Sequence, residues 1–148
     1  MSPTPHSDDL YKSLGASADK EQVHRAVKVL PPSIFEGAFC RILPDLFDSD
    51  PQRCVVSHSD SAGTKCIVGY LAYRIFSDPA WLAGLAVDAT VMNLDDVCAV
   101  GVRGPFVLSN TITRNYSLIG QDAIQAIIAS YIDFADRMAD HGVDISIA

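Results

Sequence analysis

The chain has 148 residues and a mass of 15.9 kDa, the size of one ordinary domain. Hydrophobic residues make up 49% and charged residues 20%, which excludes a disordered tail, a collagen-like fibre and a low-complexity linker. Eleven Lys and Arg against eighteen Asp and Glu leave a net charge of -7, so nucleic acid and anionic lipid are repelled and neither is an expected partner.

Residues 1–16 carry Pro, Ser, Asp and Gly without period and read as a flexible leader, with residues 17–148 as the domain. Met1 to His6 shows neither a basic nor an apolar signal region, and no secretory signal is expected. Asp19 is the expected cap of a first helix with Gln22 reaching back, carrying Val23, Ala26, Val27 and Leu30 at helical spacing. His24 on this helix reads as a surface residue. Pro31-Pro32 stops it. Ile34, Phe35, Ala38, Phe39, Ile42 and Leu43 form one stripe, which predicts a second helix over Ile34 to Leu46. Asp48 to Pro51 is a turn, and Cys54 to His58 is the first expected strand.

Ser59 to Lys65 follows as a loop of small residues. Ile67, Val68, Leu71, Ala72, Ile75 and Phe76 then predict a helix ending before Ser77-Asp78-Pro79. Ala80 to Val100 is apolar almost all round and predicts a buried helix, yet it carries Asp88, Asp95 and Asp96. A second strand is expected from Phe106, extending to Ile112. Gly120 to His141 is a long amphipathic helix ended by Gly142, and Val143 to Ala148 alternates as a buried strand. The fold class expected is α/β, a small mixed sheet covered by helices. The longest apolar stretches fall well short of the roughly 18 residues that a membrane helix needs, so no membrane partner is expected.

Cys40, Cys54, Cys66 and Cys98 form no CxxC or CxxH pair, and a structural zinc site is not expected. Cys66 and Cys98 lie among apolar residues and read as small core side chains. This usage suits a reducing, cytoplasmic setting.

Two features carry chemistry. In Ser59-Asp60-Ser61-Ala62-Gly63-Thr64-Lys65, small side chains let backbone amides approach an oxyanion, Lys65 supplies a positive charge, and Asp60 can hold a divalent cation. A plain strand-to-helix turn with a solvated Lys65 is the other reading. In the acidic helix, Asp88 and Asp95 are two turns apart and share a face, with Asp96 about 100° further round. Carboxylates buried together need compensation, which magnesium carried by a nucleotide supplies. The alternative is that Asp95 and Asp96 face water at the helix end, against the helix dipole. His58, beside the loop, is a candidate contact to substrate or phosphate, or a strand-end histidine in a structural hydrogen bond. Asn110 and Thr111, at a strand exit, are candidates for orienting a substrate.

These residues resemble a known family. Asp60 to Lys65 is similar to the D-G-x-G-T-K loop of aminoimidazole ribonucleotide synthetases (phosphoribosylformylglycinamidine cyclo-ligases). Asp88 to Asp96, followed by Gly101, resembles that family's D-x-x-x-M-x-x-N-D…G helix. Asp9 to Gly15 is similar to its tyrosine- and glycine-containing start, and Val143 to Ala148 to the strand that runs into its G-G-E-T motif. Ser61 stands in place of the usual glycine and Asp95 in place of the usual asparagine.

The resemblance implies the N-terminal ATP-binding domain of such a ligase, paired through its sheet as a homodimer, with the second domain absent and little activity from this chain alone. The reaction implied is ATP-dependent ring closure of formylglycinamidine ribonucleotide to aminoimidazole ribonucleotide in purine biosynthesis. ATP and Mg2+ are the cofactors implied. Asp60 and Asp96 would hold magnesium, with Asp88 and Asp95 in support. Ser61, Ala62, Gly63, Thr64 and Lys65 would bind the nucleotide phosphates, and Lys65 and Asp96 would serve catalysis. Alternatives are a non-catalytic dimerisation or nucleotide-binding module, and an ATP-dependent small-molecule kinase of the same superfamily.

Overall fold

The computed structural model of the chain describes residues 13–15 and 20–148. The expected Asp19 cap and most of the expected leader lie outside the described residues. The chain divides into two compact units, Met1–Ser33 and Ile34–Ala148. In the first, Glu21–Val27 forms helix α1, shorter than its apolar spacing to Leu30 implies, with none of its residues buried.

The second unit is a mixed α/β assembly. Its order is β1 (Arg41–Pro44), β2 (Cys54–Ser57), α2 (Lys65–Phe76), α3 (Ala80–Ala99), β3 (Phe106–Leu108), α4 (Gln121–Ala139) and β4 (Ile145–Ile147). Instead of one mixed sheet there are two pairs of strands: β1 with β2 antiparallel, and β3 with β4 parallel. A parallel pair needs a crossover, and α4 lies within the one that joins β3 to β4.

The helix expected over Ile34 to Leu46 is not formed. Gly37 has φ +82, a left-handed conformation that breaks a helix, and Arg41–Pro44 pairs with β2 in the register Ile42↔Val56 and Leu43↔Val55. The stripe at three and four is therefore misleading: Phe35 and Phe39 are exposed, while Cys40 and Ile42 are buried. After β1, Asp45 shapes the turn. Its carboxylate accepts the backbone amides of Phe47, Asp48 and Asp50 at 3.0, 3.3 and 3.2 Å.

The core forms where α3 crosses α4. Leu82, Ala86, Ala123, Ile127 and Tyr131 are its buried centre, with Leu85, Leu108 and Ile124 packed against them. Ala86 and Ala123 are both fully buried, and their small side chains let the helices approach closely. Thr90, also buried, donates its hydroxyl to the Ala86 carbonyl at 2.8 Å, so the polar group is satisfied inside its own helix. Burial, with Cys66 nearby, pushes the Tyr131 hydroxyl up, which keeps it a neutral phenol. On the other flank α2 meets α3 at Gly69, where an added Cβ would lie 3.1 Å from the Trp81 carbonyl and 3.2 Å from Leu85 Cδ1.

Helix α3 is only partly covered, contrary to expectation. Trp81 and Met92 are exposed, because a flank remains open between the contacts with α2 and α4. Strand β3 stops at Leu108 rather than Ile112, since its partner β4 offers three residues. Of β4 only Ile145 is buried. Cys66 and Cys98 are exposed, and the buried cysteine is Cys40: the apolar neighbours of the first two in sequence face elsewhere on their helices. Among the described residues no helix is long and apolar enough to cross a membrane.

Candidate functional site

Strand β2 delivers His58 at its end, and a loop from Ser59 to Thr64 leads into α2. The β-branched Val55 and Val56 favour the extended run. Gly63, at φ +56, turns the chain into the helix. Ser61 needs no glycine-like conformation there, and its hydroxyl accepts the Gly63 amide at 3.3 Å. The Ser61 amide in turn binds the Asp60 carboxylate at 2.7 Å. The Thr64 amide makes no hydrogen bond within the described residues and sits at the positive end of α2.

Asn93 fastens this loop to α3. Its Oδ1 accepts the Asp60 amide at 2.8 Å, and its Nδ2 donates to the Asp60 carbonyl at 3.1 Å and to the Ala89 carbonyl at 2.8 Å. Asp96, three residues further along, lies on the same side of the helix. Its Oδ2 is 2.7 Å from His58 Nε2. His58, Asp60 and Asp96 each offer one donor atom, all within 4.8 Å of one another.

The three carboxylates of α3 have separate surroundings. Asp96 faces His58, Asp88 pairs with the Lys65 ammonium at 2.8 Å, and Asp95 is exposed. They are thus not buried together, and side-chain cations or water meet two of them. The shared face of Asp88 and Asp95 does not bring Asp95 to the loop. Lys65 is directed to Asp88, with both side chains close to half exposed.

Cys40 closes the back of the site. Its thiol donates to the Asp96 backbone carbonyl at 3.2 Å and lies 3.5 Å from His58 Nδ1. Burial, and then the negative charge of Asp96, push this thiol up, so it stays protonated at neutral pH. A wide cleft of about 1370 Å³ opens in front, and His58, Asp60, Ser61, Ala62, Asn110 and Thr111 line it. The structure therefore brings the strand-exit residues Asn110 and Thr111 to the cleft of His58 and Asp60.

Sequence reasoning missed Asn93 and Cys40. The signal for Asn93 is an amide at mid-helix in an apolar run, a position that asks for a specific hydrogen-bond partner. Cys40 carries no comparable signal, since its partners lie 18 and 56 residues away. A comparison of the chain with protein-family models and with curated proteins finds no match.

Carboxylate oxygens suit magnesium, and His58 adds a nitrogen donor that the loop sequence alone does not require. The donor set fits a divalent cation.

Proposed function

We propose that this chain is the N-terminal part of a ligase resembling aminoimidazole ribonucleotide synthetase, in which it binds Mg-ATP for closure of formylglycinamidine ribonucleotide to aminoimidazole ribonucleotide. The observation that carries the reading is the Asn93 clamp, which sets Asp60 of the loop beside Asp96 of the helix. The loop and helix motifs are thereby joined by Asn93, 33 residues along the chain from Asp60, and the two carboxylates would hold the cation together.

Asp60 and Asp96 would hold the magnesium, which when bound neutralises charge on the transferring phosphoryl group. The chain's own residues position the nucleotide. The Thr64 amide and the dipole of α2 attract phosphate oxygens, and Asp88 keeps the Lys65 ammonium at that end of the helix. Asn110 and Thr111 offer polar groups for the ribonucleotide across the cleft. Asp95, exposed, supports the site only through its negative field.

A homodimer through the β3–β4 pair belongs to the same proposal. Val107 is 75% exposed on this short pair, an apolar side chain on the face away from the buried Ile145 that a second copy would cover.

The test is formation of aminoimidazole ribonucleotide from formylglycinamidine ribonucleotide and ATP by the protein that carries this chain, with Mg-ATP binding measured in parallel. Ring closure that needs ATP and is lost in Asp96→Asn supports the ligase. Nucleotide binding with phosphate passed to another acceptor would place the protein among the small-molecule kinases. Absence of nucleotide binding would leave only a dimerisation module.

A further inference from the structure

We infer that the outward face of helix α2 is a docking surface for a second copy of this chain, the two helices packing antiparallel about a two-fold axis near Leu71. This contact lies on a different element from the β3–β4 pairing proposed above, and it stands independently of that pairing and of the ring-closing reaction.

Helix α2 is apolar on two sides. Gly69 and Tyr73 face α3 and the core. Ile67, Val68, Leu71 and Ile75 project away from it and are between 54% and 72% exposed. A surface helix keeps one apolar face and turns a polar one to water, so a second apolar stripe asks for a second partner. At the end of the helix Phe76, also exposed, stacks on Trp81 with ring centroids 5.5 Å apart, which extends the patch. At roughly 100 Å2 for each side chain the patch offers about 600 Å2, as large as the largest patch on most monomers. Two such faces bury about 1,200 Å2, the lower limit of what a specific dimer needs.

The pattern suits a copy of itself. Ile67 and Ile75 stand four residues before and after Leu71, so the three form one ridge along the helix. Reversed, this ridge reads the same. Under a two-fold axis near Leu71, Ile67 of each copy meets Ile75 of the other, as an isologous contact requires. Each ridge enters the groove that the other copy presents between this ridge and the next row, Val68, Ala72 and Phe76. Charge agrees with the pairing. The chain carries -7, and of the four helices α1–α4 only α2 lacks Asp and Glu, so self-repulsion is weakest across this face. Arg74 flanks the stripe, and in the antiparallel pair its two copies lie about 9 Å apart along the axis, so like charges do not oppose each other. With the β3–β4 contact also formed, the chain builds assemblies larger than a dimer.

The test is sedimentation velocity of the 148-residue chain between about 1 and 200 µM, where a contact of this area should show a rise in mass with concentration. Leu71→Asp places two like charges at the axis and should raise the dissociation constant at least about tenfold. Circular dichroism should be unchanged, because Leu71 is exposed. Val107→Asp, on β3, should leave this contact intact. In a chain whose exposed Cys54, Cys66 and Cys98 are replaced by Ser, Leu71→Cys should cross-link to its own copy through a short bifunctional thiol reagent. Where the Leu71→Asp chain fails to fold, the cross-link decides. A chain that stays monomeric throughout would overturn the inference and assign the stripe to an occupant other than a second copy. Association that Leu71→Asp leaves unchanged, or Leu71→Cys chains that do not cross-link, would overturn it as well.

Discussion

Asn93 binds both backbone polar groups of Asp60, accepting its N–H at 2.8 Å and donating to its C=O at 3.1 Å. A side-chain amide thus pairs with a loop residue as a neighbouring strand would, and it does so from the middle of a helix. Replacing Asn93 by Ala leaves an Asp60 amide and carbonyl without their partner. The expected cost is about 1–2 kcal/mol of stability, read from urea unfolding, together with weaker cation binding because the loop loses its anchor. Unchanged cation affinity in a folded Asn93→Ala protein would show that the clamp does not position the site.

Asp96→Asn keeps the size of the side chain and removes its charge. Mg-nucleotide affinity should fall by more than about tenfold, or about 1.4 kcal/mol, with the unfolding midpoint little altered. Equilibrium binding of a fluorescent ATP analogue measures this, and an unchanged affinity would reject a metal role for Asp96.

Gly69 is buried where α2 meets α3, with backbone of Trp81 and side chain of Leu85 in contact range of any added carbon. The Trp81 carbonyl cannot rotate away as a side chain would. Gly69→Val should therefore destabilise the protein by about 1–3 kcal/mol through overpacking. Leu82→Ala, in the cluster on the opposite flank of α3, should cost about 2–5 kcal/mol by leaving a cavity. Thermal or denaturant unfolding of the two variants gives both numbers.

Asp45 links stability to pH. The amide of Phe47, with those of Asp50 and Asp48 and the nearby Arg53, holds its carboxyl below the usual aspartate range. A depressed folded-state pKa contributes stability that is fully present above the unfolded value of about 3.9 and is lost as pH falls through the folded value. The gap in unfolding midpoint between wild type and Asp45→Ala should accordingly be widest near neutral pH and narrow on acidification below about pH 4. A gap that does not change with pH would mean that the charge on Asp45 contributes nothing.

The four cysteines should separate cleanly in a thiol-alkylation experiment. Cys40 is 2% exposed and its thiol is pushed up by burial and by Asp96, so little thiolate is available. Cys54, Cys66 and Cys98 are exposed. Mass spectrometry of the native protein should find label on these three, with Cys40 modified only after denaturation. Rapid native labelling of Cys40 would show that the pocket behind His58 opens.

The sequence by itself determined the elements whose signals are local. Valines bounded by polar residues mark β2, small residues and Gly63 mark the loop, and the apolar period of Ile124, Ile127, Tyr131 and Phe134 marks α4. The sequence offers four candidate carboxylates, Asp60, Asp88, Asp95 and Asp96, and only the family resemblance singles out Asp60 and Asp96 among them. Only the tertiary structure decided the rest. The segment from Ile34 to Leu43 has a helical stripe, but pairing with β2 and the left-handed Gly37 make its end a strand. Helical angles alone could not say whether Asp88, Asp95 or Asp96 meets the loop; that depends on how α3 is rotated in its contacts with α2 and α4. Asn93 reaches Asp60 across 33 residues, and Cys40 reaches Asp96 across 56. Contacts between residues so far apart leave no periodic trace in either segment, because period reflects the face a residue shows and not the partner that it meets there.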